Sequence, residues 1–170
     1  MMKIIFIRHG EANNKTGKLT LRGARQVKAA LKYLQNEKID AIFCSPRTRA
    51  LQTANILNEK LEVPLYIVKE FNERQLLTPA QALIHEKEFA DNYLNYDFQT
   101  DKFETCKDFI DRTCLGLKNI QTKYTKYSTV VVAAHSSTLY AINAYVNGIP
   151  KDKQIKWFQC SNAAVIKFFA

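Results

Sequence analysis

The fold of this chain is decided by Ile4-Ile5-Phe6-Ile7-Arg8-His9-Gly10-Glu11. Its four apolar residues, rich in Ile and followed by a charge, predict a buried strand rather than a helix. His9 therefore follows the carboxyl end of a strand, where ligands bind in open α/β sheets. Gly10 has no Cβ, so the backbone could turn sharply there and a ligand could approach closely. On its own, the Arg8–Glu11 tetrapeptide fits a catalytic site and a turn histidine beside a solvated arginine about equally well.

The composition indicates a globular domain that takes up the whole chain. With 170 residues, 46% of them hydrophobic, the chain is long enough to bury a core, and we expect one domain over residues 1–170. The net charge of +9 favours anionic ligands. Because the lysines are spread along the chain and form no basic run, we expect solvated faces with a bias toward anionic ligands, and we do not expect nucleic acid as the partner.

The N-terminus and the cysteines both point to the cytoplasm. Met1-Met2-Lys3 precedes only four apolar residues, which is too short for a signal peptide, and no apolar stretch is long enough to predict a membrane span. The cysteines form no C-x-x-C pair and are scattered, so we expect reduced, mostly buried thiols and neither a zinc site nor disulfides. They are Cys44, Cys106, Cys114 and Cys160.

Strand and helix patterns alternate along the chain. Further strands are expected at 41–44, 65–68, 129–134 and 165–169, with 156–160 as another candidate. Helices are expected from a Thr20 cap to 36, from the Pro46 turn to 61, from Thr78-Pro79 to 93, from 105 to about 126, and from 137 to 147. This alternation predicts an α/β fold, a three-layer sandwich whose mostly parallel central sheet has helices on both faces.

A second histidine repeats the arrangement of the first. The 129–134 run is β-branched and apolar on both faces, as a central parallel strand would be, and it ends at His135. Arg47 and Arg49 are expected in the first turn of the helix after Ser45-Pro46, where cations are disfavoured unless an anion is bound. The alternative is a pair of solvated arginines. His9, these arginines and His135 would lie at one edge of the sheet and could converge.

These side chains suit covalent phosphoryl transfer. Two imidazoles, two or three arginines and a nearby carboxyl group can supply a nucleophile, a phosphate pocket and a proton donor. The sequence has no metal-ligand spacing and no nucleotide-binding loop. We therefore expect neither a metal nor another cofactor, because the arginines supply the positive charge.

The sequence resembles the histidine phosphatase superfamily, also called the phosphoglycerate mutase-like family, over nearly its whole length. Arg8-His9-Gly10-Glu11 is similar to the signature of the family, and three further segments match its motifs in order. They are 19–26 (L-T-x-x-G-x-x-Q), 45–54 (S-P-x-x-R-A-x-Q-T-A) and 131–135, which delivers the second histidine.

The resemblance implies a role for each matching residue. His9 corresponds to the nucleophile, which forms a phosphohistidine, while Arg8, Arg49 and His135 correspond to the phosphate pocket; His135 is also counted with the catalytic residues. Two neighbouring guanidinium groups disfavour a third positive charge, so His9 is expected to stay neutral near pH 7. Ser136 replaces the usual glycine after the second histidine, and its hydroxyl could contact the phosphate or merely restrict the turn.

The general acid has two candidates. Phe71-Asn72-Glu73-Arg74 resembles the L-N-E-R form of the family segment, which makes Glu73 the choice, and Glu70 is the competitor. The glycine usually found four residues after the Glu is Leu77 here. Whichever residue acts must start protonated, and we expect a mildly acidic pH optimum.

The resemblance favours a metal-independent phosphatase for a small phosphomonoester. Mutases of the family tend to be longer, with segments that close over the site, so this short chain favours hydrolysis. A protein phosphohistidine phosphatase is the first alternative and a mutase the second. A binding module that keeps the pocket without turnover is the alternative outside enzymes, and the intact Arg8, His9, Arg49 and His135 argue against it.

Overall fold

One mixed sheet forms the centre of the protein. The structure is a computed structural model that describes residues 1–75, 77–149 and 160–170. Within these residues the strands are β1 (Lys3–Arg8), β2 (Ala41–Cys44), β3 (Leu65–Ile67), β4 (Thr129–Ala134) and β5 (Val165–Phe169). Their order in the sheet is β3-β2-β4-β1-β5. The first four strands are parallel, and β5 pairs with β1 in the antiparallel direction.

Helices cover both faces of this sheet. The helices are α1 (Leu21–Ala30), α2 (Thr48–Leu61), α3 (Pro79–Asn92), α4 (Cys106–Lys123) and α5 (Ser136–Asn147), and α3 has no buried residue. Successive side chains of a strand point to opposite faces. Ile5 and Ile7 accordingly pack in one core with residues of α1 and α2, while Ile4 and Phe6 pack in the other with residues of α4 and α5. The predicted three-layer α/β fold is confirmed.

Most predicted elements are confirmed, and two helix boundaries are corrected. α1 ends at Ala30 rather than 36, and the single 3₁₀ turn Leu31–Tyr33 follows it. The i, i+3 spacing that predicted more α-helix is also the period of a 3₁₀ turn, which here keeps Leu34 in the core. Pro46 lies outside α2, because Arg47 is its extended N-cap residue. The strand candidate at 156–160 lies outside the described residues except for Cys160.

The four cysteines are free thiols in the structure. Cys44 and Cys106 are buried, whereas Cys114 and Cys160 are only partly covered. The prediction that most of them are buried is therefore correct for two of the four. Among the described residues, no helix is long and apolar enough to cross a membrane.

Gly10 and Gly23 let the turn after β1 pack directly on α1. A Cβ on Gly10 would lie 2.4 Å from the carbonyl oxygen of Gly23, and a Cβ on Gly23 would lie 2.0 Å from that of Glu11. Gly10 does not have a positive φ. The need for glycine here comes from the close approach of two backbones rather than from a left-handed conformation, and the close approach of a ligand stays a prediction.

Candidate active site

The register of the sheet brings the two predicted histidines together. Arg8 of β1 pairs with Ala134 of the parallel strand β4, so His9 and His135 leave the sheet side by side. Their ring centroids are 5.3 Å apart. The two histidines therefore converge at this edge of the sheet, as expected.

A polar pocket opens beside His9. Its volume is about 420 Å³, and all but two of its lining residues have polar side chains. The lining residues are Arg8, His9, Glu11, Ala12, Asn13, Asn14, Gly17, Arg49, Glu73 and Asn162. Among the described residues, no group of three or more His, Cys, Asp and Glu side chains could hold a metal ion.

The hydrogen bonds of His9 define its tautomer. Its Nδ1 lies 2.8 Å from the carbonyl oxygen of Gly10. Because a carbonyl only accepts, Nδ1 carries the proton, and Nε2 keeps its lone pair. Burial, helped by the positive charges of Arg49 and Arg8, lowers the pKa of His9 to about 4. His9 is thus a neutral imidazole at neutral pH, and its unprotonated Nε2 lies at the pocket.

Arg49 connects His9 with Glu73. Its Nε donates to His9 Nε2 over 3.1 Å, and its Nη2 donates to Glu73 Oε2 in an ion pair. α2 presents Arg49 in its first turn, and Thr53, one turn later, accepts a hydrogen bond from the backbone N–H of Gly10. One guanidinium group therefore bridges the candidate nucleophile and the candidate acid at the floor of the pocket.

His135 is fully buried behind the pocket. Its Nε2 lies 2.8 Å from Ser45 Oγ, and its Nδ1 lies 3.9 Å from Glu73 Oε1. Burial is the main cause that lowers the pKa of His135 to about 2, and the nearby His9 and arginines act in the same direction. Sequence reasoning gave Ser45 no role of its own. Its position directly after β2, as His9 follows β1 and His135 follows β4, was the available signal.

The other predicted residues occupy different places. Arg8 lines the pocket, and its Nη1 donates to the carbonyl oxygen of Cys160. Ser136 lies outside the pocket lining among the described residues, and its Oγ is 3.8 Å from Cys160 Sγ. Glu70 lines a separate pocket between β3 and α4. Of the two carboxyl candidates, Glu73 is the one beside His9 and His135.

The two arginines expected at the start of α2 have separate surroundings. Arg49 faces the pocket, whereas Arg47 is exposed and its Nε donates to Asn72 Oδ1 over 2.9 Å. The reason is the helical geometry: Arg47 is the extended N-cap and Arg49 is already inside the first turn, so their side chains leave in different directions. The anion-site interpretation fits Arg49 and the solvated interpretation fits Arg47.

Three asparagines were not predicted as site residues. Asn13 and Asn14 line the pocket from the loop after β1, while the exposed Lys15 is not part of the described lining. Asn162 also lines the pocket, and its Nδ2 donates to the backbone oxygen of His9 over 3.2 Å. Asn162 lies 153 residues from His9 in sequence, and its contact comes from the pairing of β5 with β1, so no local pattern could have indicated it.

Comparison with known proteins identifies relatives over most of the chain. Residues 4–168 match the model of the histidine phosphatase superfamily (branch 1). The uncharacterized phosphatase PhoE of Bacillus subtilis (strain 168) is 29% identical over 87% of this chain and 79% of that protein. The adenosylcobalamin/alpha-ribazole phosphatase of Escherichia coli (strain K12) is 24% identical over 89% of this chain and 82% of that protein.

Solved structures share the fold. YhfR of Bacillus stearothermophilus superposes with a TM-score of 0.80 at 20% identity, over 98% of this chain and 90% of that one. A mycobacterial glucosyl-3-phosphoglycerate phosphatase gives a TM-score of 0.79 at 20% identity, over 98% of this chain and 89% of that one. At this level of identity, the likeness concerns the architecture.

Proposed function

The chain belongs to branch 1 of the histidine phosphatase superfamily, and from this premise we propose that it hydrolyses a small phosphomonoester through a phosphohistidine on His9, without a metal ion. The observation that carries the proposal is the state of His9. Its Nδ1 proton is bonded to Gly10, and its neutral Nε2 lies at a pocket that also holds Arg8 and Arg49. A neutral imidazole nitrogen among fixed cations is suited to attack phosphorus.

The first chemical step transfers the phosphoryl group to His9. Nε2 attacks phosphorus and the bond to the ester oxygen breaks, while Arg8 and Arg49 neutralise the phosphoryl oxygens. Binding of the phosphate draws Arg49 away from His9 Nε2 and from the Glu73 carboxylate, since both contacts use N–H groups that the phosphate oxygens accept. Glu73, protonated in the reactive complex, gives its proton to the leaving alkoxide.

The second step returns the phosphoryl group to water. Glu73, now ionised, takes a proton from the water that attacks the phosphohistidine, and His9 leaves as a neutral imidazole. His135 takes part as a hydrogen-bond donor: when Ser45 donates to its Nε2, the proton of the neutral ring sits on Nδ1, on the side of Glu73. Over the two steps, atoms and charge balance with the groups of this chain, the ester and water.

The substrate we propose is small and polar. The pocket is lined by arginine, asparagine and carboxylate side chains, which suit hydroxyl or carboxyl groups on the alcohol part of the ester. The relatives bear the names of phosphatases, which supports hydrolysis rather than transfer to a second substrate. We propose no further partner, and the cytoplasmic location stays a prediction.

The proposal is tested with a panel of phosphoesters without added metal. The panel contains p-nitrophenyl phosphate, 3-phosphoglycerate, sugar and nucleoside phosphates, and a phosphohistidine protein. We expect phosphate release by the wild type, loss of release in His9→Ala, and an acid-labile phosphoenzyme after rapid quenching. Turnover that survives in His9→Ala would place the chemistry elsewhere, and tight ester binding without turnover would favour the binding module.

Glu73 distinguishes ester hydrolysis from phosphohistidine hydrolysis. An alkoxide needs a proton to leave, whereas the phenolate of 2,4-dinitrophenyl phosphate and the imidazole of phosphohistidine do not depend on an acid in the same way. We expect Glu73→Gln to lower kcat/KM, which reports the first step alone, by about 100-fold or more for an alkyl phosphate and by only about 3-fold for the dinitrophenyl ester. An equal decrease of kcat/KM for both esters would show that Glu73 is not the general acid.

A further inference from the structure

Arg112, on α4, holds the segment that carries Glu73. Its Nη1 donates to the backbone oxygens of Glu70 (2.7 Å) and Asn72 (2.9 Å), and its Nη2 donates to that of Glu73 (3.3 Å). Its Nε and Nη2 also bond the two carboxylate oxygens of Glu104 at 2.5 and 3.1 Å. All five N–H groups of the guanidinium thus have acceptors.

Glu104 extends the same contact to the other side of Glu73. Its Oε2 accepts the backbone N–H of Gln75 over 2.8 Å. The Glu104 side chain is only 12% exposed, and the guanidinium of Arg112 lies 4.7 Å from the ring centroid of the buried Phe109. Since the pair is shielded from water and bonded at both ends, it fixes the backbone before and after Glu73.

Gly116 allows α4 to come close enough for these bonds. A Cβ at this position would lie 2.8 Å from Glu70 Cβ and 3.1 Å from Phe71 Cε1. Gly116 is one helical turn after Arg112, on the same face of α4. α4 therefore contacts the segment that carries Glu73 in two ways: its backbone packs closely at Gly116, and the side chain of Arg112 forms hydrogen bonds.

We propose that Arg112 and Glu104 are positioning residues that aim the carboxyl group of Glu73 at the leaving oxygen of the substrate. The proposal rests on the function proposed above, because it requires Glu73 to be the general acid. Glu73 follows a 3₁₀ turn, Lys69–Phe71, and lies in irregular chain, so neither a helix nor the sheet holds its backbone. A proton donor must be held within hydrogen-bond reach of its acceptor, and small displacements reduce the rate steeply.

The test compares leaving groups in Arg112→Lys. Lysine keeps the charge but cannot bond three carbonyl oxygens and a carboxylate together. We expect kcat/KM, which reports the first step alone, to fall by about 30-fold for glycerol 3-phosphate and by less than about 3-fold for 2,4-dinitrophenyl phosphate, which needs no acid. Arg25→Lys, the same change on the exposed face of α1, is the matched control and should alter neither rate.

A second variant covers the case in which Arg112→Lys does not fold. Glu104→Gln keeps the shape of the side chain and an oxygen for Gln75, but it removes the charge that anchors Arg112. We expect the same selective loss, about 10-fold on glycerol 3-phosphate. Combining either change with Glu73→Gln should add little to the loss in Glu73→Gln alone, because the groups act through one proton transfer.

The outcomes separate this proposal from the one on which it rests. Equal losses on both esters in Arg112→Lys, together with a selective loss in Glu73→Gln, would overturn the positioning role alone and leave Arg112 a structural residue. A non-selective loss in Glu73→Gln would overturn the acid and the positioning role together. A selective loss in both variants, without additivity, supports the proposal.

Discussion

At the scale of single residues, burial decides the chemistry of the site. His9 and His135 are shielded from water at the end of a central parallel pair of strands, so protonation of either ring is disfavoured in the folded protein. The neighbouring arginines add to this effect. The same burial that keeps His9 nucleophilic therefore makes the fold sensitive to acid.

The first prediction concerns stability against pH. His9 titrates near 6.5 when unfolded and near 4 when folded, so the unfolded state binds the proton more readily and stability falls as the pH drops through this window. Between about pH 8 and pH 5, the contribution of His9 to this loss is about 2 kcal/mol. In urea unfolding, His9→Gln should lose about this much less stability than the wild type over that interval. An unfolding free energy of the wild type that stays constant between the two pH values would contradict the burial argument.

The second prediction concerns Ser45. The fully buried hydroxyl is the hydrogen-bond partner of His135 Nε2, and Ser45→Ala leaves that nitrogen unsatisfied in the core. We expect kcat/KM to fall by about 10-fold and the protein to lose about 1–2 kcal/mol of stability. Ser45→Thr keeps a hydroxyl and should retain part of the activity. If Ser45→Ala were as active as the wild type and Ser45→Thr were inactive, the hydroxyl would not have this role.

At the scale of elements, the active-site loop depends on contact between backbones. The turn after β1 touches the first turn of α1 at Gly10 and Gly23, and Thr20 caps that helix while also donating to the Glu11 carboxylate over 2.8 Å. The two glycines of the sequence motifs thus serve one contact. This contact sets where His9 lies relative to the helix.

The third prediction uses the sign of a stability change at Gly23. Helix propensity alone predicts that Gly23→Ala, inside α1, stabilises the protein by about 1 kcal/mol. The contact predicts the opposite, because the new Cβ would meet the Glu11 oxygen at 2.0 Å. We expect a loss of about 2–3 kcal/mol in urea unfolding, of the size of other overpacking changes, and reduced activity.

Ala29→Ser, on the exposed face of the same helix, is the control and should change stability by less than about 0.5 kcal/mol. A Gly23→Ala protein as stable as the wild type, or more stable, would show that the turn can move away from α1 at little cost.

At the scale of the whole molecule, a uniformly basic stretch of the chain begins beside the pocket. Residues 12–36 contain no acidic side chain and six basic ones, all exposed. The basic residues are Lys15, Lys18, Arg22, Arg25, Lys28 and Lys32. Arg22 lies 3.5 Å from Glu11, and Lys15 and Lys18 lie within two residues of Gly17; both Glu11 and Gly17 line the pocket. These three residues place part of the net charge of +9 near the site.

The fourth prediction concerns the rate of encounter with substrate. Replacing Lys15, Lys18 and Arg22 together by Gln should lower kcat/KM for a dianionic ester by about 3- to 10-fold at low ionic strength, with kcat unchanged. The difference from the wild type should vanish at high salt, because added ions screen the field.

Three exposed lysines elsewhere give a variant with the same change in net charge. They are Lys60, Lys118 and Lys126. Their replacement by Gln should leave kcat/KM closer to that of the wild type. An equal decrease in both triple variants would show that only the total charge matters.

Much of this molecule follows from local patterns. The apolar runs predicted β1, β2 and β4, because a strand that is buried on both faces has apolar side chains at successive positions. His9 and His135 were then located by their positions directly after β1 and β4. The boundaries of α1 and α2 were less predictable. Residues in a 3₁₀ turn or at an N-cap can fit the same apolar spacing as residues inside an α-helix. The exact end or start of the helix therefore depends on how the side chains pack in the core.

The sequence alone determined the α/β class, the order of the elements and the two histidines that meet at the site, because apolar periodicity and motif spacing are properties of the chain. Only the tertiary structure decided that Glu73 rather than Glu70 faces the histidines, that Arg47 turns away, and that Asn162 and Arg112 reach the site or its support. Those outcomes depend on contacts between residues far apart in sequence, and on the directions in which packed elements point their side chains.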